Sequence, residues 1–180
     1  MSRIRIVPVF VVLAVALSVL FGGWELYRNF GLVRPLEDTL LQDSAVKRVE
    51  TIVQGSDREI KIEMKPVADL QVTYEALEEK VYNSLGTKQV KIDLLDTRDE
   101  GLKTFYRDLQ PTLYAGIAQG DFPAMIERVQ AEAGKAGVES NLSMNDRYIF
   151  VQLEKGDHYL YEVLPYQAVT VEQLMGVSSL

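Results

Sequence analysis

The sequence has no cysteine, a single histidine (His158) and a single tryptophan (Trp24). Lack of cysteine excludes disulfides, thiol catalysis, thiolate metal sites and lipid attachment through sulfur. Roughly 140 residues beyond the N-terminal region are enough to bury a core without such staples. A cysteine-free domain outside the cytoplasm suits a bacterial envelope better than a disulfide-rich eukaryotic setting. One histidine cannot supply a His-pair zinc site. No serine sits in a G-x-S-x-G elbow, and Gly-rich phosphate loops and the EF-hand spacing are missing. Positive charge is scarce too: 19 Lys+Arg stand against 26 Asp+Glu, a formal net charge of −7. Without a basic cluster, that balance argues against nucleic acid and against a peripheral clamp on anionic lipid.

Against these absences stands one long uncharged run, Ile6 to Trp24 (IVPVFVVLAVALSVLFGGW). As a helix it would reach about 28 Å at ~1.5 Å per residue, close to the hydrocarbon thickness of a bilayer. Pro8 falls in its first turn, where a missing N–H costs little. Trp24 and Tyr27 follow at the position of an interfacial aromatic belt. The small-residue pair Ala14 and Ala16 lies inside the run, too early for signal cleavage, and a cut after Gly22 would place Leu20 at an unfavourable position. The reading is an uncleaved, single-pass signal-anchor contacting membrane lipid through residues 6–24. Arg3 and Arg5 precede the run and Arg28 and Arg34 follow it, so Lys/Arg counting is nearly balanced. The very short N-terminal tail favours a cytoplasmic N-terminus and an extracytoplasmic C-terminal domain.

Beyond the anchor, Leu36 to Leu41 reads as a short helix after Pro35. Asp43 or Ser44 is a candidate cap for a second helix, with Val46, Val49, Ile52 and Val53 on one face and Gly55 as its stop. Ile60, Ile62 and Met64 alternate with charged residues as in a half-buried strand. A helix over 70–85 carries Tyr74, Leu77, Val81 and Leu85 on one face, and Val90, Ile92 and Leu94 predict the next strand. Thr97-Arg98-Asp99-Glu100 matches a capping box before a long helix, which Pro111 is expected to kink or restart. Gly120, Asp121 and Pro123 separate it from another helix ending at Gly137. Three strands follow, at 138–144, 148–154 and 158–164. The expected fold is therefore α+β: one membrane helix, then one extracytoplasmic domain with a mixed sheet of about five strands packed on helices. Its expected bounds are a tail at 1–5, the span at 6–24, a linker at 25–43, the domain at 44–166 and a C-terminal tail at 167–180.

Candidate sites are few. His158 beside Asp157 could act with it as a catalytic base, but at a hairpin end it reads as an exposed turn residue. Asp93, Asp96, Asp99 and Glu100 cluster where a strand meets a helix, yet Asp99 and Glu100 suit the helix N-terminus on electrostatic grounds alone. Glu75, Glu78 and Glu79 read as a solvated helix face. Asn141-Leu142-Ser143 matches a glycosylation pattern too short to carry weight. The last two strands are apolar on both faces, which requires either cover by the protein's own helices or an interface. Tyr148, Phe150, Leu160 and Leu164 are the candidate interface residues. No catalytic, cofactor-binding or metal residue is assigned. The expected function is a membrane-anchored, non-enzymatic interaction or assembly module of a bacterial cell-envelope complex. A protein partner or homo-oligomer is expected, and nucleic acid is not. The alternative is an extracytoplasmic small-molecule sensing domain that passes a signal to a membrane partner.

Retention of the apolar run is directly measurable. The intact mass of the membrane-extracted chain should include residues 6–24. A mature species beginning near residue 23 would contradict the anchor.

Overall fold

The structure, a computed structural model, describes residues 13–20, 34–54, 57–86 and 90–166. The elements run α1 (Arg34–Leu41), β1 (Val46–Gln54), β2 (Asp57–Met64), α2 (Leu70–Leu85), β3 (Lys91–Leu95), α3 (Glu100–Gln119), α4 (Phe122–Ala136), β4 (Glu139–Met144), β5 (Tyr148–Lys155) and β6 (His158–Pro165). The class is α+β, as expected. Of the apolar run only 13–20 is described; it is helical, with Leu13, Val15, Leu17 and Val19 exposed. Among the described residues no helix is long and apolar enough to cross a membrane. The rest of the run, the tail at 1–5 and the C-terminal tail at 167–180 lie outside the described residues.

Instead of one mixed sheet of about five strands there are two sheets of three, ordered β1-β2-β3 and β4-β5-β6. In the first, β1 pairs antiparallel with β2, and β2 pairs parallel with β3 across the α2 crossover. The second is an antiparallel meander. The added strand is β1, where the sequence spacing predicted a helix. Its register with β2 slips between Val46 and Arg48, a bulge at Lys47. A bulge inserts one extra residue and resets the alternation. Val46 and Val49, three apart, therefore both reach the core, imitating the spacing of a helix face. The β-branched content of Val46, Val49, Thr51, Ile52 and Val53 was the opposing signal.

Helix ends follow local chemistry. Asp69, Asp99 and Asp121 accept hydrogen bonds from the N–H groups of Val72, Leu102 and Ala124, satisfying donors that a first turn leaves unpaired. The cap of α3 is thus Asp99 rather than Thr97. Pro111 does not break α3, which runs continuously from Glu100 to Gln119. Pro111 is exposed, so the carbonyl it leaves unpaired is on the side of the helix that water reaches. Gly120 closes α3 at φ +67°, a conformation that costs other residues strain, and Asp121 immediately opens α4. The two helices then pack closely: a Cβ added at Gly116 would lie 2.5 Å from the Met125 Cβ.

Two apolar clusters form the core. One joins Leu36 and Leu40 of α1, Ile60, Ile62 and Met64 of β2, and Leu70, Tyr74, Leu77 and Val81 of α2 to Phe150, Tyr159 and Tyr161 of the second sheet. The other joins Leu102, Leu109 and Leu113 of α3 and Met125 and Val129 of α4 to Ile149, Val151, Leu153, Leu160 and Leu164. The meander is thereby covered twice, by α3 and α4 on one face and by the α1–β3 unit on the other. Leu36 and Leu40 are fully buried, so the folded domain includes part of the expected linker.

Cover on both faces makes both faces essential. Val151 is fully buried and Phe150 is 1 % exposed. Val151→Asp and Phe150→Asp should each remove more than about 3 kcal/mol, because each buries an unpaired charge. Gly116→Val should cost about 3 kcal/mol, the upper end for overpacking. Urea unfolding checks all three. A folded Phe150→Asp variant of native stability would contradict the double cover.

Candidate functional site

β3 and β6 end their respective sheets, so among the described residues each has one edge with no strand beside it. The two elements approach within 8 Å between Cα atoms. Between them lies a groove of about 540 Å³, lined by residues 91–96, Arg98 and residues 161–163. Ile92 and Val163 are its half-buried apolar wall.

Segment 96–98 closes one part of this groove. The Tyr161 N–H donates to Asp96 Oδ2 at 2.8 Å, and Arg98 Nη2 donates to the Tyr161 carbonyl at 3.2 Å. The Tyr159 N–H reaches Thr97 Oγ1 at 3.4 Å. Asp96 is held in turn by the Arg98 guanidinium, with Nε and Nη2 at 2.8 and 2.6 Å. Arg98 Nη1 also donates to Glu162 at 2.6 Å. The Asp96 side chain is 1 % exposed and that of Arg98 24 %. Burial works against the Arg98 charge, but hydrogen bonds to Asp96 and Glu162 outweigh it and hold the guanidinium protonated above its ordinary range. Removing one partner of a buried pair leaves the other charge stranded, typically at about 3–5 kcal/mol.

These contacts reassign the acidic cluster read from the sequence. Asp96 binds Arg98 and β6, Asp99 caps α3, and Glu100 pairs with Lys103 at 2.7 Å. Among the described residues no three His, Asp or Glu side chains are grouped to hold a metal ion. His158 is exposed, with Nδ1 2.7 Å from the Thr97 carbonyl. A carbonyl only accepts, so Nδ1 carries the proton and His158 is a brace for segment 96–98.

The four candidate interface residues do not share a surface. Phe150 pairs with Val163, Leu153 with Leu160 and Ile149 with Leu164, and directly paired residues point to one face. Tyr148 and Phe150 therefore lie under the α1–β3 unit, with Leu160 and Leu164 under α3 and α4. Tyr148 is half-buried and its hydroxyl donates to Glu78 at 3.2 Å. Beside it a smaller cleft of about 360 Å³ lies between Glu75 to Tyr82 of α2, Ile92 and Arg147. Two of its carboxylates are engaged: Glu78 by Arg147 at 2.9 Å, and Glu75 by Asn145 at 2.7 Å.

Sequence reasoning missed Gln152, the one buried polar residue among those described. Its Oε1 accepts from the Leu70 N–H at 3.1 Å, and its Nε2 donates to the Val67 carbonyl at 2.8 Å. It serves the start of α2 from the second sheet. Tyr161 does similar work, accepting the Val67 N–H on its hydroxyl at 3.0 Å. A polar residue between Val151 and Leu153 was the signal that could have found Gln152.

Burial pushes the Tyr161 phenol up to about 12 and raises Tyr74 and Tyr106 as well. An unfolded tyrosine ionises near ~10. The folded chain keeps these protons longer, so their stabilisation is full below that value and is lost as pH rises from it through the folded value. Tyr161→Phe should be less stable at neutral pH by about 1–2 kcal/mol, through the unpaired Val67 N–H. Its stability should fall less steeply at alkaline pH than that of the parent. Parallel curves in urea titrations at successive pH values would contradict the assignment.

The chain matches no protein-family model, no curated protein sequence and no solved structure, so the reading of this site rests on its own geometry.

Proposed function

We propose that the protein is a membrane-anchored, non-enzymatic interaction or assembly module of a bacterial cell-envelope complex. In this reading residues 6–24 span the membrane once, with the N-terminus cytoplasmic and the α+β domain outside. The supporting observation is the pair of strand edges, β3 and β6, which no other described strand flanks beside one groove. Edge backbone gives an extended partner segment a row of hydrogen-bonding groups, and flanking side chains give it selectivity. Val163 is central here: Tyr161 directs its backbone away from β5, and Val163, two residues on, points the same way.

The alternative, ligand sensing, draws on the second cleft. Its volume of about 360 Å³ and mixed lining suit a small molecule. A ligand there would raise the melting temperature, whereas a strand partner need not be a small molecule at all.

Site-resolved cross-linking in the native membrane separates the readings. A photoreactive residue at Val163 should yield an adduct with a protein partner. The same residue at Tyr114, 55 % exposed on the far helix α3, should not. Equal labelling from both positions, or none from Val163, would contradict the groove as the docking place. Protease added to protoplasts should digest the domain; full protection would reverse the orientation.

A further inference from the structure

Segment 96–98 lies along β6 much as a strand would. Its contacts run from the β5–β6 turn into the strand: His158 Nδ1 to the Thr97 carbonyl, the Tyr159 N–H to Thr97 Oγ1, the Tyr161 N–H to Asp96, the Tyr161 carbonyl from Arg98, and Glu162 from Arg98. Two of these residues, Tyr159 and Tyr161, are alternate positions of β6. Alternate positions are the ones an antiparallel neighbour uses. The side chains of Asp96, Thr97 and Arg98 supply one acceptor for each outward N–H and one donor for the outward carbonyl of Tyr161. Beyond Tyr161 the match stops, and no described residue pairs with the backbone of Val163.

Simple fastening between the two halves of the domain does not account for this choice of targets. Fastening is already provided elsewhere: Gln152 to Leu70 and Val67, the Tyr159 hydroxyl to Met64, and Arg147 to Glu78. None of those contacts is directed at the backbone of an outer strand of a sheet. Among the described residues, side chains meet the free backbone of an outer strand at two places: Glu37 accepts the Thr51 N–H of β1, whereas segment 96–98 meets three backbone groups of β6 and does so with an almost fully buried carboxylate. A straight strand edge walled by apolar side chains is a template for pairing with another chain, and natural proteins cover such edges.

We propose that segment 96–98 is a built-in guard, an intramolecular stand-in for a neighbouring strand that withholds the β6 edge from pairing with a second copy of this chain. The proposal is independent of what occupies the groove. It requires only that removing the guard exposes an edge able to pair with itself.

The test uses the full chain in detergent micelles. Asp96→Ala with Arg98→Ala removes both charges together, so neither is left buried alone. Sedimentation over a range of concentrations should show self-association at least about tenfold tighter than in the parent chain. Adding Val163→Pro should return it to the parental state. The Val163 N–H points away from β5, so proline there blocks strand addition without removing a β5–β6 bond. Amide exchange in the unaltered chain gives a second reading that needs no variant. The Tyr161 amide should exchange at least about tenfold more slowly than that of Val163. A folded double variant that is merely less stable, with the parental oligomeric state, would overturn the proposal. So would self-association indifferent to Val163→Pro. If the double variant does not fold, the exchange result decides, and equal exchange of Tyr161 and Val163 would overturn the guard.

Discussion

In β5 and β6 neither face can be left to water. Ile149, Val151 and Leu153 alternate with Tyr148, Phe150 and Gln152, and β6 repeats the pattern with Leu160 and Leu164 against Tyr159 and Tyr161. Each set needs cover, because exposed apolar surface costs about 25 cal/mol per Å². One helical hairpin can cover only one face. The α1–β3 unit supplies the other cover, and most of the architecture follows from that requirement. The unit's own sheet keeps Ile60, Ile62 and Met64 inward and an ion-paired face outward, with Glu59 to Lys91 at 2.7 Å and Glu63 to Lys47 at 2.6 Å.

Apolar contact alone leaves polar groups stranded at such a junction. The start of α2 and the chain before it carry N–H and carbonyl groups that meet the second sheet. Gln152, Tyr159 and Tyr161 satisfy them through the Leu70 and Val67 N–H groups and the Val67 and Met64 carbonyls. At the rim Arg147 holds Glu78 and Asn145 holds Glu75. Segment 96–98 completes the seam where β3 passes into α3. The face of the meander that first looked available to a partner is the inside of this seam. What remains available along this seam is edge rather than face: β3, and β6 beyond Tyr161.

Much of this was legible in the sequence, and the parts that were not share a cause. Helices α2, α3 and α4 and all three strands of the meander declared themselves by periodicity and by Asp and Gly at their ends, which are local signals. β1 was misread because the bulge at Lys47 gave a strand the spacing of a helix. The single-sheet expectation failed because strand partners are chosen by tertiary packing: β3 pairs with β2, and β6 only approaches it. The candidate interface failed on register. Tyr148 and Phe150 were grouped with Leu160 and Leu164, yet the pairing of Ile149 with Leu164 places the two sets on opposite faces. Asp96 looked like one of four clustered carboxylates, and only its contact with Tyr161, 65 residues away, gives it a different task.

The central claim is that the α1–β3 unit and the α3–α4 hairpin are two covers of one sheet and cannot unfold separately. Native-state hydrogen exchange in low urea tests it most directly. The slowest amides of β2, around Ile60 to Met64, and those of α3, around Leu109 to Leu113, should open with the same free energy and the same urea dependence. Exchange of β2 at markedly lower free energy, with α3, α4 and the meander still protected, would show a self-sufficient second unit and contradict the account.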